Sequence, residues 1–315
     1  MGLGHLRRML FLARSLQEDP TIDILVSILT EIEIKLEQLE LIPHEFINCE
    51  FNEAVGRLLK YEQPKIIIYD LSVDRLSEVK TDTFRLVQKS SCFQIGIDNL
   101  LRYSDLTDFT LVPAFRINSR HKQFINDRVK WGWDTFLIPL PNNLFNNNNR
   151  ELLVLTGSSD YGGYGNYLPT LLNEHLSADL KINWVQGPFA RAPSIPQNPK
   201  HSWNIHVAPD GLGHLMQKCC LGLTVFGVSL FELISYQLPS VVLSPYNGKD
   251  DEDIMALEKD GIALYGANMI NSIMRLNELA TDEVKFHSIQ KKCGGLMQKN
   301  GVNAILEQIN SYVKK

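Results

Sequence analysis

Gly-Leu-Gly-His occupies residues 2–5, ahead of an apolar-patterned stretch, HLRRMLFLARSLQ. Gly2 and Gly4 allow the backbone to approach a ligand closely and to take positive φ. His5 at a helix start supplies an imidazole, a group that titrates near neutrality and suits a general base. The amides of the same helix start favour an anion and disfavour a charged ring. Two further stretches could do chemistry. In LLVLTGSSD, residues 152–160, a strand runs into a loop where Gly157 and Ser158 offer amides to phosphate. In LTVFGVSLFELISYQLPSVVLSP, residues 223–245, Gly227 leads into a helix start that holds Ser229. That hydroxyl and the amides after it could meet a phosphate, and Glu232 three residues on could take both hydroxyls of a ribose. The spacing S-x-x-E also makes a capping box, which satisfies backbone donors and does nothing else. Both readings of Ser229 and Glu232 stay open on the residues alone.

These groups need a scaffold, and the hydrophobic pattern predicts one. PLPNNLFNNNNR, 139–150, holds two prolines and six asparagines and cannot sustain a helix or a central strand. It divides the chain into residues 1–140, a linker 141–150, and residues 151–315; a long surface loop within one domain is the alternative. Before it, TIDILVSIL, KIIIYD, CFQIGID and FTLVP read as strands, and HLRRMLFLARSLQ, NEAVGRLLKYEQ and DTFRLVQKS as helices. After it, ELLVLT, KINWVQG, WNIHVAP, LGLTVF and SVVLSP read as strands, with helices at 165–176, 213–219, 229–237 and 251–260. Such alternation predicts α/β domains with parallel sheets covered on both faces. Ligands of these sheets bind beyond the carboxyl ends of the strands.

The order GLGHLRR, TGSSD, GVSLFELISYQLPSVVLSP resembles the GT-B nucleotide-sugar enzymes. The resemblance is strongest over 151–265 and closest to the UDP-sugar hydrolase of pseudaminic acid biosynthesis and the spore-coat polysaccharide glycosyltransferase-like proteins. The peptidoglycan N-acetylglucosaminyltransferase is a more distant likeness. KKCGGLMQKNGVNAILEQI is similar to the group's closing segment before a last helix. The resemblance implies two Rossmann-like domains facing across a cleft. It implies His5 as the catalytic histidine, with Gly2 and Gly4 in its loop. Gly157 and Ser158 would lie near the pyrophosphate, and Gly227, Ser229 and Glu232 on the nucleotide diphosphate and ribose. Gly187, in VQGPF, would give a main-chain contact to the uracil. Asn247, in YNGKDDED, partly matches a position where relatives recognise sugar hydroxyls, but no Gln follows it. The acidic run 250–253 also suits a solvated helix start.

Relatives carry a strand directly before the glycine loop, and here only Met1 stands there. The first strand is therefore expected to be missing, unless the natural protein begins upstream. GLGH recurs at 211–214, where the family has a variable connection; His214 reads as an ordinary helix-start residue and the repeat as a coincidence.

Composition sets outer limits. The chain has 315 residues, 44% hydrophobic and 21% charged, with a net charge of −5 and an isoelectric point near 5.9. That balance argues against a broad nucleic-acid face. No apolar run reaches the ~20 residues that span a bilayer, and no signal-peptide pattern opens the chain, so a cytoplasmic location is expected. Peripheral association with a membrane stays open. Cys49, Cys92, Cys219, Cys220 and Cys293 are odd in number and lack metal-ligand spacing. His44, His121, His201, His206 and His287 suggest no metal either, and no DxD motif sits in a suitable loop. No cofactor or metal is called for. Trp131 and Trp133 read as packing at the end of a domain, with stacking on a sugar as the alternative, and Asp98 and Asn99 as acceptor contacts or turn residues. The expected function is transfer from a UDP-sugar donor to an unknown acceptor in surface polysaccharide or glycan biosynthesis. Hydrolysis of the UDP-sugar and a non-catalytic nucleotide-sugar-binding protein are the alternatives. A nicotinamide dehydrogenase is disfavoured, because no GxGxxG follows a strand.

Overall fold

The computed structural model describes residues 4–30, 41–144, 149–245 and 248–314. Gly2 and Asn247 therefore lie outside the described residues. The described residues form two compact units: those within 5–139 with 298–314, and those within 140–297 with Gly4.

The N-terminal unit begins with α1 (Gly4–Gln17), followed by β1 (Val26–Leu29), β2 (His44–Ile47), α2 (Phe51–Tyr61) and β3 (Ile66–Asp70). Then come α3 (Thr81–Lys89), β4 (Phe93–Ile97), β5 (Phe109–Val112) and β6 (Val129–Trp131). Strands β3-β4-β5-β6 form one parallel sheet in that order. β1 and β2 form a separate parallel pair. α1 packs on both sheets: Leu10 and Ala13 join a core with Ile42, Val26 and Ile28, and Leu12 and Leu16 join Ile95 and Ile97. The spacing of these apolar residues is the helical period seen in the sequence.

The C-terminal unit contains β7 (Glu151–Leu155), α4 (Leu168–His175), β8 (Lys181–Gln186), β9 (Trp203–Val207), α5 (Gly213–Lys218) and β10 (Leu221–Val225). It continues with α6 (Val228–Ser235), β11 (Ser240–Leu243), α7 (Asp251–Lys259), β12 (Leu264–Gly266), α8 (Met269–Thr281) and α9 (Glu283–Cys293). Its six strands run parallel in the order β12-β11-β10-β7-β8-β9. The chain builds outward from β7 through β8 and β9, then returns to the other side of β7 through β10. The switch point lies between β7 and β10, the place in open α/β sheets where the loops at the carboxyl ends diverge. Leu153 and Leu155 meet Leu215, Met216 and Leu233 of α5 and α6 in the core. Of the acidic run 250–253, Asp250 is the N-cap of α7 and Asp251, Glu252 and Asp253 form its first turn, where carboxylates suit the helix dipole.

One expectation needs correction. The last helix, α10 (Gly301–Val313), belongs to the N-terminal unit and not to the C-terminal domain. Val302, Ala304, Ile305 and Ile309 enter the core with Ile97, Leu111 and Leu137. The Gly301 amide donates to Phe136 O at 2.9 Å, and a Cβ there would lie 2.4 Å from Thr135 O. Fully burying an aliphatic side chain contributes about 1.5–3 kcal/mol, so this apolar face holds the helix to the unit that completes its core.

Candidate active site

His5 is the second residue of α1. Its Nδ1 lies 2.7 Å from Oδ1 of Asp70, the last residue of β3. Parallel strands deliver their terminal side chains to one edge of the sheet, which is how a residue 65 positions away comes to the helix start. Asp70 is 1% exposed in its side chain and His5 is 35% exposed. One nitrogen of the ring is therefore anchored in the protein, and among the described residues Nε2 makes no hydrogen bond.

Arg8 follows His5 by one helical turn, which sets both on one face. Its Nε donates to Asp70 Oδ2 at 2.6 Å and its Nη2 to Asp70 Oδ1 at 2.6 Å, a two-pronged grip on the carboxylate. Its Nη1 donates to Asp98 Oδ2 at 2.9 Å. Asp98 stands directly after β4 with φ of +57°, in the left-handed region that an Asp side chain tolerates better than most. Burial alone would raise the Asp70 carboxyl; the charge of Arg8 and the hydrogen bonds of Arg8 and His5 outweigh it and hold Asp70 below the ordinary carboxylate range. For Arg8, burial works against the charge and the two carboxylates more than restore it.

The tautomer follows from these contacts. Asp70 Oδ1, His5 Nδ1 and Arg8 Nη2 form a triangle with sides of 2.7, 2.6 and 2.8 Å. If Nδ1 carried a lone pair, it would face a carboxylate oxygen at 2.7 Å, two acceptors in contact. With Nδ1–H donating to Asp70, the oxygen accepts two bonds, and the 2.8 Å approach of Arg8 Nη2 to Nδ1 is then a contact between two donors that share that oxygen, not a hydrogen bond. We assign the proton to Nδ1, which leaves Nε2 as the basic nitrogen. The arrangement can therefore take a proton from a hydroxyl group and hold the resulting cation against a buried carboxylate.

In the C-terminal unit the expected residues gather around the switch point. Gly157, with φ of +89°, turns the chain after β7. Gly187, just past β8, fits against that loop so closely that a Cβ would lie 2.4 Å from Ser158 O and 2.5 Å from Gly157 O. Ser158 O accepts from the Phe189 amide at 2.9 Å. The loop is also held from beyond: Asp160 accepts from the amides of Tyr164 and Gly165 at 3.0 and 2.7 Å, and Tyr164 donates its hydroxyl to Ser244 O after β11. Burial pushes the Asp160 carboxyl up, against the pull of those two amides.

The capping-box reading of Ser229 and Glu232 is not realised. The N-cap of α6 is Gly227, without a side-chain cap bond. Ser229 is already inside the first turn, and Glu232 lies three residues further on the same face. A Cβ at Gly227 would meet nothing within 4 Å. Its backbone, with φ of +158°, is what favours glycine there.

The other candidates are elsewhere. Asn99 donates its side-chain amide to Leu71 O at 2.9 Å and ties the segments after β3 and β4. Trp133 stacks on Phe115, as packing. His214 opens α5 much as His5 opens α1, but no carboxylate is hydrogen-bonded to it among the described residues. Asp70 and Arg8 were not singled out from the sequence. A signal for each existed: an Asp closing a strand of hydrophobic residues, and an Arg at i+3 from the histidine.

No protein-family model matches the chain, and no curated protein matches it significantly. Solved structures do. MurG of Acinetobacter baumannii is 14% identical with a TM-score of 0.64, covering 98% of this chain and 96% of that one. MnaA of S. aureus, solved with UDP, is 13% identical with a TM-score of 0.62, covering 98% and 93%. UGT2 of Phytolacca americana, solved with UDP-2-fluoro-glucose and pterostilbene, is 12% identical with a TM-score of 0.64, covering 100% and 98%. The chain has the α/β fold with parallel sheets of these GT-B proteins, over nearly its whole length. No helix among the described residues is long and apolar enough to cross a membrane.

Proposed function

We propose that the protein is a glycosyltransferase-type enzyme acting at the anomeric carbon of a UDP-sugar, in the building of a surface polysaccharide or another glycan. The observation that carries this reading is the His5–Asp70 contact, with Nδ1 anchored and Nε2 left basic. An acceptor hydroxyl gives its proton to Nε2 as its oxygen bonds to the anomeric carbon. The bond from that carbon to the diphosphate breaks, and UDP leaves with the electron pair. Asp70 stabilises the imidazolium that forms. The amides of the Gly157–Ser158 loop and the start of α6 offer positive dipoles to the diphosphate. Glu232 has the chemistry to bind a ribose diol, and Gly187 places a main-chain edge beside the same loop for the base.

An intact base with a buried carboxylate behind it opposes the non-catalytic alternative. Water in place of the acceptor would make the same site a UDP-sugar hydrolase. The test is release of UDP from a panel of UDP-sugars, with and without sugar and lipid-linked acceptors, beside calorimetric titration with UDP. Acceptor-dependent release supports transfer, and release without acceptor identifies a hydrolase. If no nucleoside diphosphate binds, the reading fails.

A further inference from the structure

Arg8 is 8% exposed, and three of its nitrogens are engaged by two carboxylates from two different strand ends. Structural anchoring of α1 to the sheet would need only one of them. We propose that Arg8 is a positioning residue that keeps the His5 ring neutral and in its Nδ1–H form, by sharing Asp70 with it and dividing its own charge between Asp70 and Asp98. The proposal rests on the reading of His5 as the base.

Among the described residues, the charged groups in hydrogen-bond contact with the ring are Arg8, from its own helix, and Asp70, from β3. Asp98 acts through Arg8. It also lies in the field of His121, on the 3-10 segment Ser119–Phe124, together with Arg102 and Arg120. Consider the balance at the ring. A second proton on His5 would set a cation 2.8 Å from the Arg8 guanidinium, which resists it. Without Arg8, the buried Asp70 carboxylate would face His5 alone and would draw that second proton onto the ring. A doubly protonated ring cannot accept a proton from a hydroxyl. Asp98 works in the opposite sense, because it draws part of the guanidinium charge away from Asp70. Arg8 thus decides whether the histidine is available as a base, without touching the reacting atoms.

The two arms give opposite signs, which a merely structural role would not produce. The readout is the His5 imidazole in long-range ¹H–¹⁵N spectra of the full chain, identified by its loss in His5→Asn, together with the pH profile of UDP release. The wild type should show a neutral ring protonated at Nδ1 near pH 7.5. In Arg8→Met the ring should be doubly protonated at that pH, and the acid limb of the profile should move up by about one pH unit or more. Asp98→Asn should leave the ring neutral and move the acid limb down. Arg8→Lys keeps the charge and should recover the neutral ring. If Arg8→Met does not fold, Asp98→Asn and Arg8→Lys read the same balance. A neutral Nδ1–H ring in Arg8→Met, or displacement of the limb in one direction by both variants, overturns the proposal. The spectra need no turnover: a ring that responds as stated in a protein that releases no UDP separates failure of the proposed function from failure of this inference.

Discussion

Nδ1 of His5 stands 2.7 Å from Oδ1 of Asp70, with the carboxylate buried and the ring partly exposed. That geometry fixes which nitrogen can work. His5→Asn should lower UDP release by about 10²–10⁴-fold, the usual worth of a general base. Asp70→Asn should cost a comparable factor, because an amide can hold the ring in the wrong tautomer and cannot stabilise the imidazolium. Calorimetry should find UDP affinity unchanged in both, since the residues proposed to bind the diphosphate belong to the C-terminal unit. Near-normal turnover in His5→Asn would show that another group is the base.

Asp70 also predicts how stability depends on pH. Its carboxyl is held below the ordinary range, burial opposing and Arg8 with His5 prevailing. A group whose folded-state value is depressed adds stability above the unfolded carboxylate value, near pH ~4. That stability is lost as pH falls through the lower folded-state value. Denaturant titrations between neutral pH and strong acid should show this slope in the wild type. Asp70→Asn should be less stable at neutrality, with Arg8 short of a partner, and should lose less on acidification. Equal slopes would remove Asp70 from the acid response.

Glu232→Gln separates binding from folding. Because Gly227 caps α6 and Ser229 lies beyond it, the loss of a capping box cannot be the consequence. Gln keeps the length and volume of the side chain, so the fold should stay intact. UDP affinity should fall, and the fall should be smaller for a nucleotide lacking ribose hydroxyls. Equal loss for both nucleotides would mean that Glu232 does not contact the diol.

Much of this was legible in advance, and the two GLGH segments show where legibility ended. Alternating apolar runs gave the strands and helices because a parallel sheet buried on both faces admits little else. Both GLGH segments open a helix with histidine as its second residue, so local sequence was a sound guide to local structure. Their difference in chemistry comes from Asp70, contributed by a strand that closes 65 residues later. Spacing along the chain does not report such a meeting; register and sheet order do. The same holds for α10, whose apolar face could have packed against either unit by its pattern. It joined the first because Leu111, Leu137 and Ile305 share a core.

The Gly157–Ser158 loop offers the sharpest steric test. Gly187 and the Gly157–Ser158 turn meet backbone to backbone, and a Cβ on Gly187 would stand 2.4 Å from Ser158 O and 2.5 Å from Gly157 O. Neither oxygen belongs to a flexible side chain, so Gly187→Ala must displace the turn itself. Overpacking of this kind costs about 1–3 kcal/mol. The displaced turn carries the amides assigned to the diphosphate, so affinity should fall along with stability. Gly211→Ala is the matched control: it stands in the second GLGH, and a Cβ there would meet nothing within 4 Å. It should change neither melting temperature nor UDP binding. Thermal shift with and without UDP reads both quantities on both variants. If Gly187→Ala melts like the wild type and keeps its UDP shift, the turn is not where the diphosphate is held.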